Sequence, residues 1–97
     1  MIVRAVHIAD RDEFARRLEA GSFWISEADS DGERWFWYCC PCGSGRRAPL
    51  TVGERFKPAD GPSWNWNGSF VSPTLTPSVN HEGHWHGFLT DGEWKVC

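Results

Sequence analysis

The sequence has no long apolar run, no low-complexity tract and no run of like charges. No stretch approaches the roughly 20 apolar residues of a membrane-spanning helix, and the opening MIVRAVHIADRDEF turns acidic too early for a secretory signal. The net charge of -3 gives no general attraction to nucleic acid or to an anionic membrane. We therefore expect a cytoplasmic globular protein that does not bind membranes.

Cysteine is scarce but unevenly placed. Of the four cysteines, three fall within FWYCCPCGSG, residues 36–45, and the fourth is Cys97. Cytosolic thiols are normally kept reduced, so a cysteine cluster there more often binds a metal or catalyses a reaction than forms disulfides. A bound metal ion is the favoured interpretation. Two disulfides, a redox C-x-x-C pair and a cluster of buried free thiols are the alternatives.

Zinc in a structural site takes four Cys or His ligands, often as two closely spaced pairs. The first pair would be Cys39 with Cys42, or Cys40 with Cys42. The second half would come from HEGHWHGFLTDGEWKVC, whose candidate ligands are His81, His84, His86 and Cys97. Bound Zn²⁺ would supply folding free energy that so small a core lacks.

The N-terminal third predicts a strand and a helix. MIVRAVHI is rich in β-branched residues, which is typical of an inner strand. Asp10 as N-cap with Glu13 three positions later predicts a helix start, Gly21 predicts its end, and Phe14 and Leu18 would form its buried stripe.

The rest of the chain predicts short antiparallel strands. SFWISEA and ERWFWYCC around DSDG predict one hairpin, and HGFLTDGEWKVC predicts a second around a T-D-G turn. The intervening Gly- and Pro-rich segment predicts loops with short extended pieces. The predicted class is α+β: a small, mostly antiparallel β domain with one N-terminal helix and a zinc-ribbon-like metal site. We expect one domain, 1–97, with residues 1–34 as strand, helix and first hairpin strand and 35–97 as a zinc-binding β region.

Seven tryptophans are many for 97 residues. The plainer interpretation is that indoles fill a small core, and the alternative is a surface that stacks bases, sugars or a partner. In WNWNGSFVSPTLTPS, Trp64 and Trp66 share a strand face, Asn67 begins a turn, and prolines stiffen the segment, so it fits either a structural cover or a ligand groove. The predicted partner or ligand surface consists of Trp64, Trp66, Trp85, Arg46 and Arg47.

Three segments carry a resemblance: CPCGSGRR, SWNWNGSFVSPTLTPSV and HWHGFLTDGEWKVC. Together they resemble a family of small bacteriophage and prophage zinc-binding proteins of unassigned function, over residues 35–97. The resemblance implies a compact zinc-binding β domain working in a bacterial host cell. It favours a ligand set of Cys40, Cys42, His86 and Cys97, with Cys39 and His84 as alternates, and it implies no activity.

The expected function is a zinc-stabilised, non-enzymatic interaction module that binds a host or phage protein and modulates host machinery or defence. A full set of four ligands leaves no open coordination position, so no catalytic residue is predicted. One alternative is single-stranded nucleic-acid binding, with indoles stacking bases and a basic loop of Arg46, Arg47, Arg55 and Lys57 contacting phosphates. The other is a metal-dependent hydrolase with Glu82 or Asp91 as general base.

Overall fold

A computed structural model describes residues 2–97, which form one nine-stranded sheet and one short helix. The elements in chain order are β1 Ile2–Arg4, β2 Val6–His7, α1 Arg11–Arg17, β3 Ser22–Ile25, β4 Glu33–Cys39, β5 Arg47–Glu54, β6 Trp64–Trp66, β7 Leu75–His81, β8 Trp85–Thr90 and β9 Glu93–Val96. The strand order across the sheet is β1-β9-β8-β7-β6-β5-β4-β3-β2.

The N-terminal segment joins the two edges of this sheet. β1 pairs antiparallel with β9, while β2, one residue further on, pairs parallel with β3. Ala5 lies between them, is buried, and donates its backbone N–H to the carbonyl of Gly92 at 2.8 Å. The sheet is therefore a nearly closed barrel whose edges are covered by its own chain. Met1, part of the predicted first strand, lies outside the described residues.

The predicted α+β class with a zinc-ribbon-like site is wrong. The fold is almost entirely β, and its helix spans only seven residues. Within residues 2–97, no group of three or more His, Cys, Asp or Glu side chains is placed to hold a metal ion. The predicted loop-rich region also contains β5, β6 and β7, of which β5 has eight residues.

Large aromatic side chains fill the barrel. Along β4, Phe36 and Tyr38 point inward and are buried, whereas Trp35 is exposed and Trp37 is half-buried on the outer face. The side chains therefore alternate between the two faces of the sheet, as they do along a regular strand. Trp66 and Trp94 are fully buried, and the indole Nε1 of Trp94 donates to the carbonyl of Gly21 at 2.9 Å. Most of the indole bulk therefore stabilises the core.

The helix begins where the sequence predicts and ends earlier. The Asp10 carboxylate accepts hydrogen bonds from the backbone N–H groups of Asp12 and Glu13, which confirms the N-cap. The helix stops at Leu18, which adopts a left-handed conformation with φ 50° and is exposed, so the predicted end at Gly21 and the predicted burial of Leu18 are wrong. Phe14 is buried against the outer face of the barrel.

Both predicted hairpins are present. β3 and β4 pair antiparallel, with Trp24 opposite Trp37. β8 and β9 pair antiparallel around a turn in which Asp91 and Gly92 both have positive φ. In residues 2–97, no helix has the length and apolar character needed to cross a membrane.

Candidate functional site

A serine and a histidine are hydrogen-bonded on the outer face of the barrel. The distance between Ser78 Oγ and His86 Nε2 is 3.1 Å. Ser78 lies on β7 and His86 on β8, which are antiparallel neighbours. This is the distance expected between a serine nucleophile and the base that activates it.

An irregularity in β7 accompanies this pair. Leu75 lies opposite Leu89 and Val79 lies opposite Gly87, so four steps along β7 match two along β8. The extra residues form a bulge between Leu75 and Val79, and Ser78 lies at the end of it. Bulges interrupt the backbone ladder, are common next to active sites and can re-aim a side chain.

Two neighbours flank the pair. The indole Nε1 of Trp64 donates to the backbone carbonyl oxygen of Ser78 at 3.0 Å. Asn80, two residues after Ser78 on β7, is directly opposite His86 in the strand register. Facing side chains of antiparallel strands have Cβ atoms roughly 4.5–5.5 Å apart, so the Asn80 carboxamide is within reach of the imidazole.

The site is open to solvent. His86 and Asn80 are exposed and Ser78 is half-buried. Val79 and Gly87, which alternate with them along the two strands, are buried on the inner face of the barrel. Phe88, on the same face of β8 as His86, is 46% exposed. An extended polypeptide can therefore reach Ser78 without entering a deep pocket.

The arrangement is suited to nucleophilic catalysis. When the imidazole carries its proton on Nδ1, Nε2 can accept the Ser78 hydroxyl proton as the oxygen attacks a carbonyl carbon. The same nitrogen, once protonated, can return the proton to the leaving group. This is acyl-transfer chemistry.

The predicted zinc ligands are not gathered into one centre. Cys40 is buried in the core, Cys42 is exposed in the following turn, and Cys97 follows β9 and donates its backbone N–H to the carbonyl of His86 at 3.0 Å. His86 itself contacts Ser78. Of the alternates, Cys39 is buried beneath the helix and His84 is in the turn before β8.

Two thiols of the predicted ligand set have shifted pKa values. Burial raises the pKa of Cys40 to about 11. Burial acts to raise the pKa of Cys42, but its hydrogen bonds with Cys40 and Ser44 outweigh burial, and the net pKa is lowered. Because no three potential ligands meet at one point within residues 2–97, the geometry does not fit a four-ligand zinc centre, and zinc binding stays a prediction of the sequence.

The residues of the predicted partner surface are divided between core and exterior. Trp66 and Trp85 are buried and Trp64 is half-buried, so they offer little free indole face. Arg46 and Arg47 are exposed at the start of β5. Glu82 and Asp91, the alternative general bases, are exposed in turns on either side of β8.

Sequence reasoning missed Ser78 and took His86 for a metal ligand. The two residues belong to no short catalytic motif, because they come from different strands. The signal that could have joined them was the HEGH segment: a turn there makes a hairpin of the two flanking strands.

The comparisons identify a family. The family model described as "Bacterial ubiquitination-like system serine protease (BubE)" matches residues 10–97, which is most of the chain. Searches of curated proteins and of solved structures found no match. The family is one of serine proteases, so the expectation that the protein is not an enzyme is wrong. The match bears neither on a phage origin nor on zinc.

Proposed function

The chain belongs to the family of bacterial ubiquitination-like system serine proteases, and from that premise we propose that it hydrolyses peptide or isopeptide bonds with Ser78 as nucleophile and His86 as general base. The observation that carries this assignment is the 3.1 Å distance between Ser78 Oγ and His86 Nε2. It is the one hydrogen bond between a serine and a histidine side chain within residues 2–97.

In the proposed reaction, Ser78 Oγ attacks the carbonyl carbon of the scissile bond while His86 Nε2 takes the hydroxyl proton. The protonated imidazole then gives that proton to the departing amine, which leaves an acyl ester on Ser78. Water, deprotonated by His86, hydrolyses the ester and regenerates the enzyme.

The position of the site supports a protein as substrate. Ser78 and His86 lie on the convex outer surface of the barrel, where a chain segment of a large partner can reach them. The proposed substrate is therefore a protein of the ubiquitination-like system, cut at an accessible segment. The predicted protein partner becomes, in this proposal, a substrate.

We place the protein in the bacterial cytoplasm. All four cysteines are free thiols in the structure, which agrees with a reducing compartment.

The test is covalent labelling with a fluorophosphonate probe, which reacts with activated serines, followed by mass spectrometry of the labelled peptide. We expect one label on Ser78, none in Ser78→Ala, and a loss on the order of 10³-fold or more in rate in His86→Ala. Exposed Ser44, in the turn after the cysteine cluster, gives the matched control Ser44→Ala, which should label like the wild type.

Cleavage is then measured on a fusion in which a bacterial ubiquitin-like protein is followed by a reporter. Release of the reporter by the wild type but not by Ser78→Ala supports the proposal. Labelling at another serine, or equal cleavage by Ser78→Ala, contradicts it.

A further inference from the structure

A second concave site is separate from the Ser78–His86 pair. It is a groove of about 470 Å³ between α1 and the outer face of β3 and β4. β5 and β6 separate these strands from β7, so the groove shares no strand with the Ser78–His86 pair. Its volume lies within the usual range of small-molecule sites, about 300–1,000 Å³.

Three indoles form the floor of the groove. Trp24 and Trp37 are opposite each other in the β3–β4 register, and Trp35 lies two residues before Trp37 on the same face. Trp24 is fixed by donating its Nε1 hydrogen to the carbonyl of Ala9 at 3.1 Å. Trp35 is 51% exposed. Such a half-exposed indole offers a face on which a planar ring can stack.

Two guanidinium groups stand at the walls. Arg47, from β5, donates from Nη1 to the carbonyl of Ala15 at 3.2 Å, which ties it to the helix and leaves its other N–H donors for a ligand. Arg11 lies 3.9 Å from the Asp12 carboxylate, but both side chains are largely exposed, so this ion pair is weak. The groove therefore combines aromatic faces with paired cationic donors.

Indole and guanidinium together select a ligand that has both a planar ring and an anionic group. A nucleotide has both: its base can stack on an indole and its phosphate can accept bidentate hydrogen bonds from arginine. The Asp12 carboxylate adds an acceptor for ribose hydroxyls. An acidic peptide could pair with the arginines, but it has no planar ring to stack on the indoles.

We propose that the groove floored by Trp24, Trp35 and Trp37 binds a single nucleotide, with its phosphate held by Arg11 and Arg47. This site is independent of the proposed protease chemistry. Its volume accommodates one nucleotide rather than an oligonucleotide.

The test is calorimetric titration of the full chain with adenosine 5′-monophosphate, and in parallel with adenosine and with ribose 5-phosphate. We expect saturable binding of the monophosphate, about tenfold or more tighter than either half alone, because each half lacks one of the two interactions. Trp35→Ala and Arg11→Gln should each weaken binding about tenfold, and both side chains are exposed enough for the fold to persist.

Phe88→Ala, a change to an exposed aromatic residue on β8 that does not line the groove, and Ser78→Ala should both bind the nucleotide as the wild type does. Ser78→Ala should lose fluorophosphonate labelling but keep nucleotide binding. The failure of one proposal can therefore be told apart from the failure of the other. Absence of saturable binding overturns the proposal, as does unchanged affinity in Trp35→Ala. Tighter binding of a hexaglutamate peptide or of a single-stranded oligonucleotide than of the mononucleotide also overturns it.

Discussion

The indole Nε1 of Trp64 donates a hydrogen bond to the backbone carbonyl oxygen of Ser78 at 3.0 Å. Trp64 belongs to β6 and Ser78 to β7, at the end of the bulge where the pairing with β8 shifts. A regular backbone ladder is interrupted there. The indole therefore fixes the backbone of the proposed nucleophile from the neighbouring strand.

Replacing Trp64 with Phe should impair the site more than the fold. Phenylalanine keeps most of the apolar contact but removes the donor, which costs about 1 kcal/mol of stability. We expect fluorophosphonate labelling of Ser78 to slow by about tenfold, because its backbone loses the restraint. Trp24→Phe is the matched control, since Trp24 also donates from its indole to a backbone carbonyl, that of Ala9. Equal slowing in both variants would show that the Trp64 contact has no special role.

Asn80 is expected to orient His86. It faces the imidazole across β7 and β8, and its carboxamide oxygen can accept the Nδ1 proton, which leaves Nε2 as the acceptor for Ser78. Asn80→Ala should slow labelling about tenfold with little change in melting temperature, because the side chain is exposed. Asn80→Asp should recover much of the rate, since a carboxylate accepts the same hydrogen bond. Thr76→Ala, also exposed on β7, serves as the control, and an Asn80→Ala rate equal to the wild type contradicts the assignment.

Local signals predicted the local elements. The N-cap at Asp10 and the turn at Gly92 depend on residues close in sequence, and the structure has both. The strands between residues 43 and 79 depend instead on partners elsewhere in the chain. β5 pairs in parallel with β6 through a connection of nine residues that contains one glycine and two prolines, and such composition suggested a loop.

Neither the barrel closure nor the candidate site was predictable, because both depend on how the strands pair. The N-terminal segment pairs with β9 through β1 and with β3 through β2, and the spacing of hydrophobic residues along the sequence does not reveal these partners. Ser78 and His86 meet only because β7 and β8 form a hairpin with a shifted register. The crowded cysteines suggested a metal site. Cys39 and Cys40 are fully buried, however, and a buried free cysteine can also serve as a small apolar side chain of the core.

Gly87 is required for the strand that carries His86. A Cβ atom at this position would overlap the backbone carbonyl oxygen of Lys95 on β9 and the ring of Trp85. Gly87→Ala should therefore push β9 away, destabilise the fold by roughly 1–3 kcal/mol and slow labelling of Ser78. Chemical denaturation and labelling kinetics measure the two effects.

Gly53 supplies the control for this change. It is also a buried strand glycine, but the atoms nearest to a Cβ atom there belong to the ring of Phe56, a partly exposed side chain that can move. Gly53→Ala should cost less stability than Gly87→Ala and leave labelling unchanged. A Gly87→Ala variant as stable and as reactive as the wild type would contradict the predicted overlap.

His81, at the end of β7, should make stability depend on pH. Burial lowers the pKa of its imidazole below the usual 6.5, and the nearby charges of His84 and Arg46 lower it further. At this position the unfolded chain therefore binds a proton more readily than the folded chain does. The stability that His81 contributes is present above about pH 6.5 and is lost as the pH falls through the folded pKa. Denaturation at pH 7.5 and 5.5 should show a lower free energy of unfolding at the acidic value and a shallower dependence in His81→Gln. His7, whose pKa burial also lowers, contributes to the remaining slope, and a slope unchanged by His81→Gln would contradict the prediction.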